Sequence, residues 1–214
     1  MALGDLLRKL GYDGSPNFLQ GKDLERVPDY AYVFRRAEAT CQLRGVYALN
    51  EQTGTRGSTL VPLVYVCEAD EEIDERDIHQ RVWNQNVVPF VLVQTPNLIR
   101  LYSGFQYARP AEGQQESARE GVLRAAIAFN QIASQLADFR SEAIDEGAFW
   151  REWEPRINPE TRVDWRLLGH LERLGSWLRG NHLHKGTAHA LIGKATVAPN
   201  SVSAGRPQPA RSST

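Results

Sequence analysis

Apolar positions fall into two regimes along the chain. Up to about residue 105 they come as short runs and alternations, and beyond about residue 115 they recur every three or four positions. LGDLLRKL (3–10) has the spacing of a short amphipathic helix stopped by Gly11, and GYDGSPNFLQGKD reads as a loop. YAYVFRRAEAT (30–40) predicts a helix with Tyr32, Phe34 and Ala37 near its apolar face and Glu38 near its end, although its aromatics also suit a strand. CQLRGVYAL (41–49) alternates roughly, NEQTGTRGS reads as a turn, and LVPLVYVCE (60–68) is apolar enough for a strand buried on both faces. Pro62 is expected at the start of that strand, where its missing N–H costs least. The acidic stretch EADEEIDERD opens a helix over ERDIHQRVWNQN, with Ile78, Val82 and Trp83 inward. VVPFVLVQT (87–95), a tight turn at Pro96-Asn97 and LIRLYSGF (98–105) add two more strands. The succession strand, hairpin, strand, helix, strand, hairpin, strand predicts an α/β domain with a mixed sheet.

The later regime predicts helices. SAREGVLRAAIAFNQIASQLADF places Val122, Ala126, Phe129, Ile132, Leu136 and Phe139 on one helical face. Phe149, Trp150 and Trp153 follow in a connection ending near Pro155. WRLLGHLERLGSWLRG reads as a helix with Asp164 as N-cap, Trp165, Leu168, Leu171, Leu174 and Leu178 on one face, and Gly180 as its stop. HLHKGTAHALIGK (182–194) begins a further helix. ATVAPNSVSAGRPQPARSST has no aromatic, acid or periodicity and is expected to be disordered. The expected organisation is an N-terminal helix and arm (1–27), an α/β domain (28–112), a helical region (113–194) and a tail (195–214).

Composition narrows the function classes. At 214 residues and 42% apolar content, one domain with a substantial core is expected, with room for a smaller module beside it. The formal net charge of −1 supplies no general attraction for nucleic acid, so any DNA contact requires a local basic patch. Cys41 and Cys67 lack metal-type spacing and sit in apolar surroundings, which predicts buried free thiols. MALGDLLRKLGY has no apolar signal-peptide core and no run is long enough to span a bilayer, so no membrane partner and a cytoplasmic location are expected. The lysines are Lys9, Lys22, Lys185 and Lys194, which leaves residues 23–184 without one.

That gap bears on the candidate chemistry. Restriction-type nucleases use a helix glutamate, a strand acid and then Glu/Asp-x-Lys, the acids holding magnesium that activates water and stabilises the scissile phosphate. Glu38 is the candidate helix acid, and Glu68-Ala69-Asp70 falls where Glu-x-Lys would stand. The third position is Asp70 rather than lysine, arginine stays protonated and cannot serve as a base, and GVYAL offers no second strand acid. Glu38, Glu68 and Asp70 therefore read as a degenerate nuclease-type site, or as a plain sheet edge meeting water.

Other motifs carry less. His182, His184 and His189 lack an i, i+4 pair and a completing cysteine or acid, so a polar connection is expected rather than zinc. GKAT (193–196) lacks the upstream glycine of a phosphate loop, that position being Ala188. Trp150, Trp153, Trp165 and Trp177 suit helix packing better than base stacking.

PLVYVCEADEEIDERDIHQRVWNQNVVPFVLVQTPNLIRLYSGF (62–105) and WLRGNHLHKGTAHALIGK (177–194) resemble the N-terminal region of bacterial adenine-specific (N-6) DNA methyltransferases of restriction–modification and related defence systems. The resemblance covers about residues 28–194 and rests on the HQRVWNQ helix, the PFVLV and LIRLYSGF strands and the HALIGK helix. It implies a restriction-endonuclease-like domain, then helices leading into a methylase domain. The departure after Lys194, where ATVAPNSVS replaces the expected Tyr/Leu/Arg-rich run, suggests a truncated or frame-shifted gene. No Asn-Pro-Pro-Tyr-type tetrad for a flipped adenine is present, nor a glycine-rich turn for S-adenosylmethionine.

The expectation is a catalytically inactive N-terminal fragment that engages DNA or docks against a methylase domain or subunit. It holds no cofactor in this chain, S-adenosylmethionine belonging to the parent family, and it self-associates through its helical region. The alternatives are a Mg²⁺-dependent endonuclease using Glu38, Glu68 and Asp70, and a non-enzymatic interaction module.

Overall fold

The structure is a computed structural model that describes residues 3–25, 28–52, 58–70, 74–109, 111–157, 163–181 and 186–187. The predicted helix beyond residue 181 and the predicted disordered tail lie almost wholly outside them, as do His182, His184, His189 and GKAT. The chain divides into two compact units, residues 1–166 and 167–214.

The first unit is built on a mixed six-stranded sheet. Its strands are β1 (Phe18–Leu19), β2 (Leu43–Gln52), β3 (Ser58–Glu68), β4 (Phe90–Gln94), β5 (Ile99–Ser103) and β6 (Val122–Ile127), and they lie side by side in chain order. β3 and β4 are parallel, and every other neighbouring pair is antiparallel. The parallel step needs a crossover, which α4 (Glu75–Gln85) provides. Helices α1 (Leu3–Leu10), α2 (Lys22–Glu25) and α3 (Pro28–Cys41) precede β2. The short helices α5 (Ile132–Gln135), α6 (Ser141–Asp145) and α7 (Ala148–Trp153) follow β6.

Alternation along β4 separates two cores. Phe90 and Leu92 face one, while Val91 and Val93 face the other. The first core gathers α1 and the segments after β6, and holds Phe139, Phe149 and Trp153 edge-on to Phe90 at ring distances of 5.3 Å. Such pairs add about 0.5–1.5 kcal/mol each beyond the area they bury. The second core packs α3 and α4 through Phe34, Ala37, Ile78 and Val82, and encloses both free cysteines. Burial pushes the Cys67 thiol well above its ordinary range.

The helices and strands expected before residue 105 form, including the helix over 30–40, whose aromatics had left a strand open, but the stretch expected to be a loop over 11–23 also supplies β1 and the start of α2. Pro62 is a correction. It lies five residues into β3, opposite Ala48, where the register of β2 shifts. A bulge interrupts the ladder there, so the missing N–H is tolerated inside the strand.

The predicted helix over 117–139 is a larger correction. Gly121 turns the chain at φ +89°, and residues 122–127 pair with β5 instead. Ser103 N–H donates to the Gly121 carbonyl at 2.8 Å, which satisfies an edge that a helix would leave open. Of the predicted face, Ile132, Leu136 and Phe139 still reach the first core, but from two short helical turns, and Ile127 joins them from the strand. The sheet therefore continues past residue 112, and 113–157 is not a separate helical region.

In the helix α8 (Val163–Gly180), the start at Val163 places Asp164 in the first turn rather than at the cap. Gly180 ends the helix as expected. Within the second unit, Leu167, Leu168 and Leu174 are exposed, and Trp177 is 64% exposed rather than packed. Trp153 is buried and Trp150 half-buried, in the core role predicted for them.

Candidate functional site

The carboxyl ends of β3 and β4 meet where the chain leaves the sheet for α4, and such ends are where open α/β sheets carry their clefts. The pairing of Glu68 with Gln94 is the last step of the parallel ladder. Two backbone bonds fix that end. Glu68 N–H donates to the Gln42 carbonyl at 3.1 Å, and Ala69 N–H donates to the Gln94 carbonyl at 2.8 Å. Gln42 adopts a left-handed conformation, φ 50°, between α3 and β2.

Arg44 reaches this end because of a second bulge. Leu43 pairs with Cys67 and Gly45 with Val66, so Arg44 is the extra residue of β2. Its Nε donates to Glu68 Oε2 at 3.0 Å. Both side chains are more than a third exposed, so the pair is a matter of geometry and charge more than stability. Arg44, Glu68, Ala69, Asp70, Gln94, Thr95 and Pro96 line a cleft of about 380 Å³.

A second cleft of about 310 Å³ shares Ala69, Asp70, Thr95 and Pro96 and extends to Asp74, Glu75, Asn97, Leu98 and Arg100. Its carboxylates also have structural duties. Asp74 caps α4, accepting from Arg76 N–H at 3.0 Å. Glu75 pairs with Arg100, whose Nε donates to the Ala125 carbonyl of β6 at 2.6 Å. Thr95 closes the turn predicted at Pro96-Asn97, its N–H donating to the Leu98 carbonyl at 2.9 Å. Among the described residues the joined surface thus carries four carboxylates, two of them paired with the guanidinium groups of Arg44 and Arg100.

Of the three acids singled out in the sequence, the structure brings Glu68 and Asp70 to one cleft. Glu38 is exposed on α3 and lines neither cleft. Magnesium favours several hard oxygen ligands at near-octahedral geometry. Among the described residues, no three His, Cys, Asp or Glu side chains gather closely enough to hold a metal ion. Glu68 Oε2 is engaged by the Arg44 guanidinium, which competes with a metal ion for that oxygen. Lys22 lies on α2 and lines neither cleft, and Lys185 lies outside the described residues.

Sequence reasoning missed His79. It is fully buried on α4, and its Nε2 lies 2.8 Å from the Ser103 carbonyl and 2.9 Å from the Gln106 carbonyl. Both carbonyls are acceptors, so Nε2 carries the proton. Arg119 Nη1 therefore donates to Nδ1, at 3.0 Å. The imidazole stacks on Tyr102 and meets Tyr107 edge-on, and the Arg119 guanidinium lies 5.4 Å from both tyrosine rings. This buried knot ties α4 to the segment between β5 and β6. The helical period marks Ile78 and Val82 as inward, and His79 beside Ile78 shares that face, so a polar side chain there was the available signal.

A second knot anchors β6. Arg124 makes a two-pronged pair with Asp138 at 3.0 and 2.8 Å, and Trp153 Nε1 donates to the same carboxylate at 2.6 Å. Arg124 and Arg156 both lie over the Trp153 ring, at 5.4 and 5.0 Å.

Fold and site together define an α/β protein with a mixed open sheet and an acid–guanidinium cleft at its parallel strand ends. No protein-family model, curated protein or solved structure matches the chain. Among the described residues no helix is long and apolar enough to cross a membrane.

Proposed function

We propose that this chain is a non-hydrolytic accessory domain of the adenine-specific DNA methyltransferase class, with a restriction-endonuclease-like sheet that engages DNA or docks the methylase domain or subunit. The order of hairpin, crossover helix and parallel strand, with acids at the strand end, supports that relationship. The observation that carries the non-hydrolytic part is the Arg44–Glu68 contact at 3.0 Å. A permanently protonated guanidinium sits on the carboxylate that a nuclease would reserve for its metal, and it cannot take a proton from water.

The test combines plasmid nicking in Mg²⁺ or Mn²⁺ with the anisotropy of a fluorescent duplex across a salt series. No cleavage, together with binding that weakens as salt rises, is expected. Metal-dependent cleavage that is lost in Glu68→Ala overturns the reading in favour of an endonuclease.

A second reading, a protein-interaction module, is favoured by α8, where Leu167, Leu168, Leu174 and Trp177 are exposed on one element. It predicts concentration-dependent light scattering that Leu174→Lys/Trp177→Lys abolishes. A strictly monomeric wild type sets it aside.

A further inference from the structure

The helices α3 and α4 run antiparallel across one face of the sheet. Gln85 Nε2 donates to the Val33 carbonyl at 2.9 Å near one end, and Arg81 Nη1 donates to the Thr40 carbonyl at 2.7 Å near the other. Between them lies an open groove of about 380 Å³ whose charged lining, among the described residues, consists of Arg36 and Arg81. Asn84 and Gln85 add carboxamides, and among the described residues no carboxylate lines it. Asp77 stands one turn before Arg81 on α4, and Glu38 two residues after Arg36 on α3, both outside the lining.

The two guanidinium groups are available. Arg36 makes no side-chain hydrogen bond or ion pair among the described residues, and Arg81 spends one of its five N–H donors on Thr40. Both act on the same neighbour. Burial pushes the Cys41 thiol up, while the Thr40 hydroxyl, Arg81 and Arg36 pull it back. In a chain of net charge −1, two uncompensated arginines flanking one groove concentrate positive potential locally. A guanidinium fork matches phosphate oxygens, and an exposed asparagine amide supplies a further donor.

We propose that the α3–α4 groove is a phosphodiester-binding site in which Arg36 and Arg81 hold backbone phosphates of DNA and Asn84 donates an additional hydrogen bond. This rests on the reading that the chain engages DNA. It assigns that contact to the helical face rather than to the acid–guanidinium cleft.

The experiment uses the full chain, a fluorescein-labelled duplex and a salt series, with Arg36→Gln, Arg81→Gln, the double variant and Arg8→Gln as a control on α1. Each lost phosphate contact makes the slope of log K against log salt shallower by about 0.9, so the double variant loses about 1.8. Arg8→Gln keeps the wild-type slope. Thermal melts accompany each variant. Because Arg36 supports no other described side chain, its substitution reads binding without touching the fold.

Wild-type slopes in Arg36→Gln and the double variant overturn the site while leaving DNA engagement intact. Absence of any duplex binding overturns both. Poly-glutamate binding as tightly as the duplex, with the same loss in the variants, makes the groove a general polyanion or peptide site and overturns the assignment to DNA. Inorganic phosphate that displaces the duplex at lower concentration than unlabelled duplex does marks a free-phosphate site, with the same consequence.

Discussion

Replacing His79 with phenylalanine tests the buried knot most directly. Phenylalanine keeps a ring against Tyr102 and Tyr107 but removes both nitrogens. The Ser103 and Gln106 carbonyls then lose the N–H they share, and Arg119 Nη1, in a residue only 2% exposed, loses its acceptor. A lost neutral hydrogen bond costs about 1 kcal/mol, and a donor on a buried charged group left without its acceptor about 1–3 kcal/mol. The expected destabilisation is about 3 kcal/mol, or roughly 6–12 °C in Tm for a unit of this size. Scanning fluorimetry and urea titration measure it. Arg119→Met alone should also destabilise, and the double variant should be less damaged than the sum of the two, by about 1 kcal/mol or more. A His79→Phe protein melting within about 2 °C of wild type refutes the argument. So would strict additivity in the double variant, because the two side chains then do not depend on each other.

Gly121→Ala should cost about 3 kcal/mol, since it combines φ +89° with a Cβ placed 2.2 Å from the Gln106 carbonyl oxygen. Gly113→Ala, at φ +74° in open space, should cost only about 1 kcal/mol; equal thermal shifts for the two would remove the steric part of this reasoning. Tyr65→Phe should stabilise by about 1 kcal/mol in urea titration, because the Tyr65 hydroxyl is buried without a hydrogen-bond partner among the described residues. Stability should fall from about pH 9 upward. Burial raises Cys67 and Tyr65, so the folded state keeps protons that the unfolded state releases above its ordinary values, and each group costs up to about 1.4 kcal/mol per pH unit in that window. A urea midpoint unchanged between pH 7 and 10 contradicts that linkage.

The sheet was legible in the sequence wherever one period dominated. LVPLVYVCE and VVPFVLVQT have strand length and β-branched content, and the Asp74–Asn86 frame of α4 carries its own caps. β6 was not legible. VLRAAIAF is alanine-rich and fits a 3.6-residue period, and only the open edge of β5 and the turn at Gly121 decide for a strand. Those are tertiary facts, and they override a propensity difference of a few tenths of a kcal/mol per residue. The site divides in the same way. Glu68 and Asp70 stand at a strand end that the apolar run announces. Arg44 depends on a bulge, and Arg36 meets Arg81 only because two helices separated by a hairpin lie side by side. Glu38 was drawn in by chain order alone.

Because each strand borders the next one in the chain, the sheet combines two local hairpins, β2–β3 and β4–β5, with longer-range closures at β1–β2, β3–β4 and β5–β6. A ribosome releasing this chain exposes the β5 edge for as long as residues 122–127 remain in the exit tunnel. Any product ending before Val122 keeps that edge permanently, as a template for strands of other molecules.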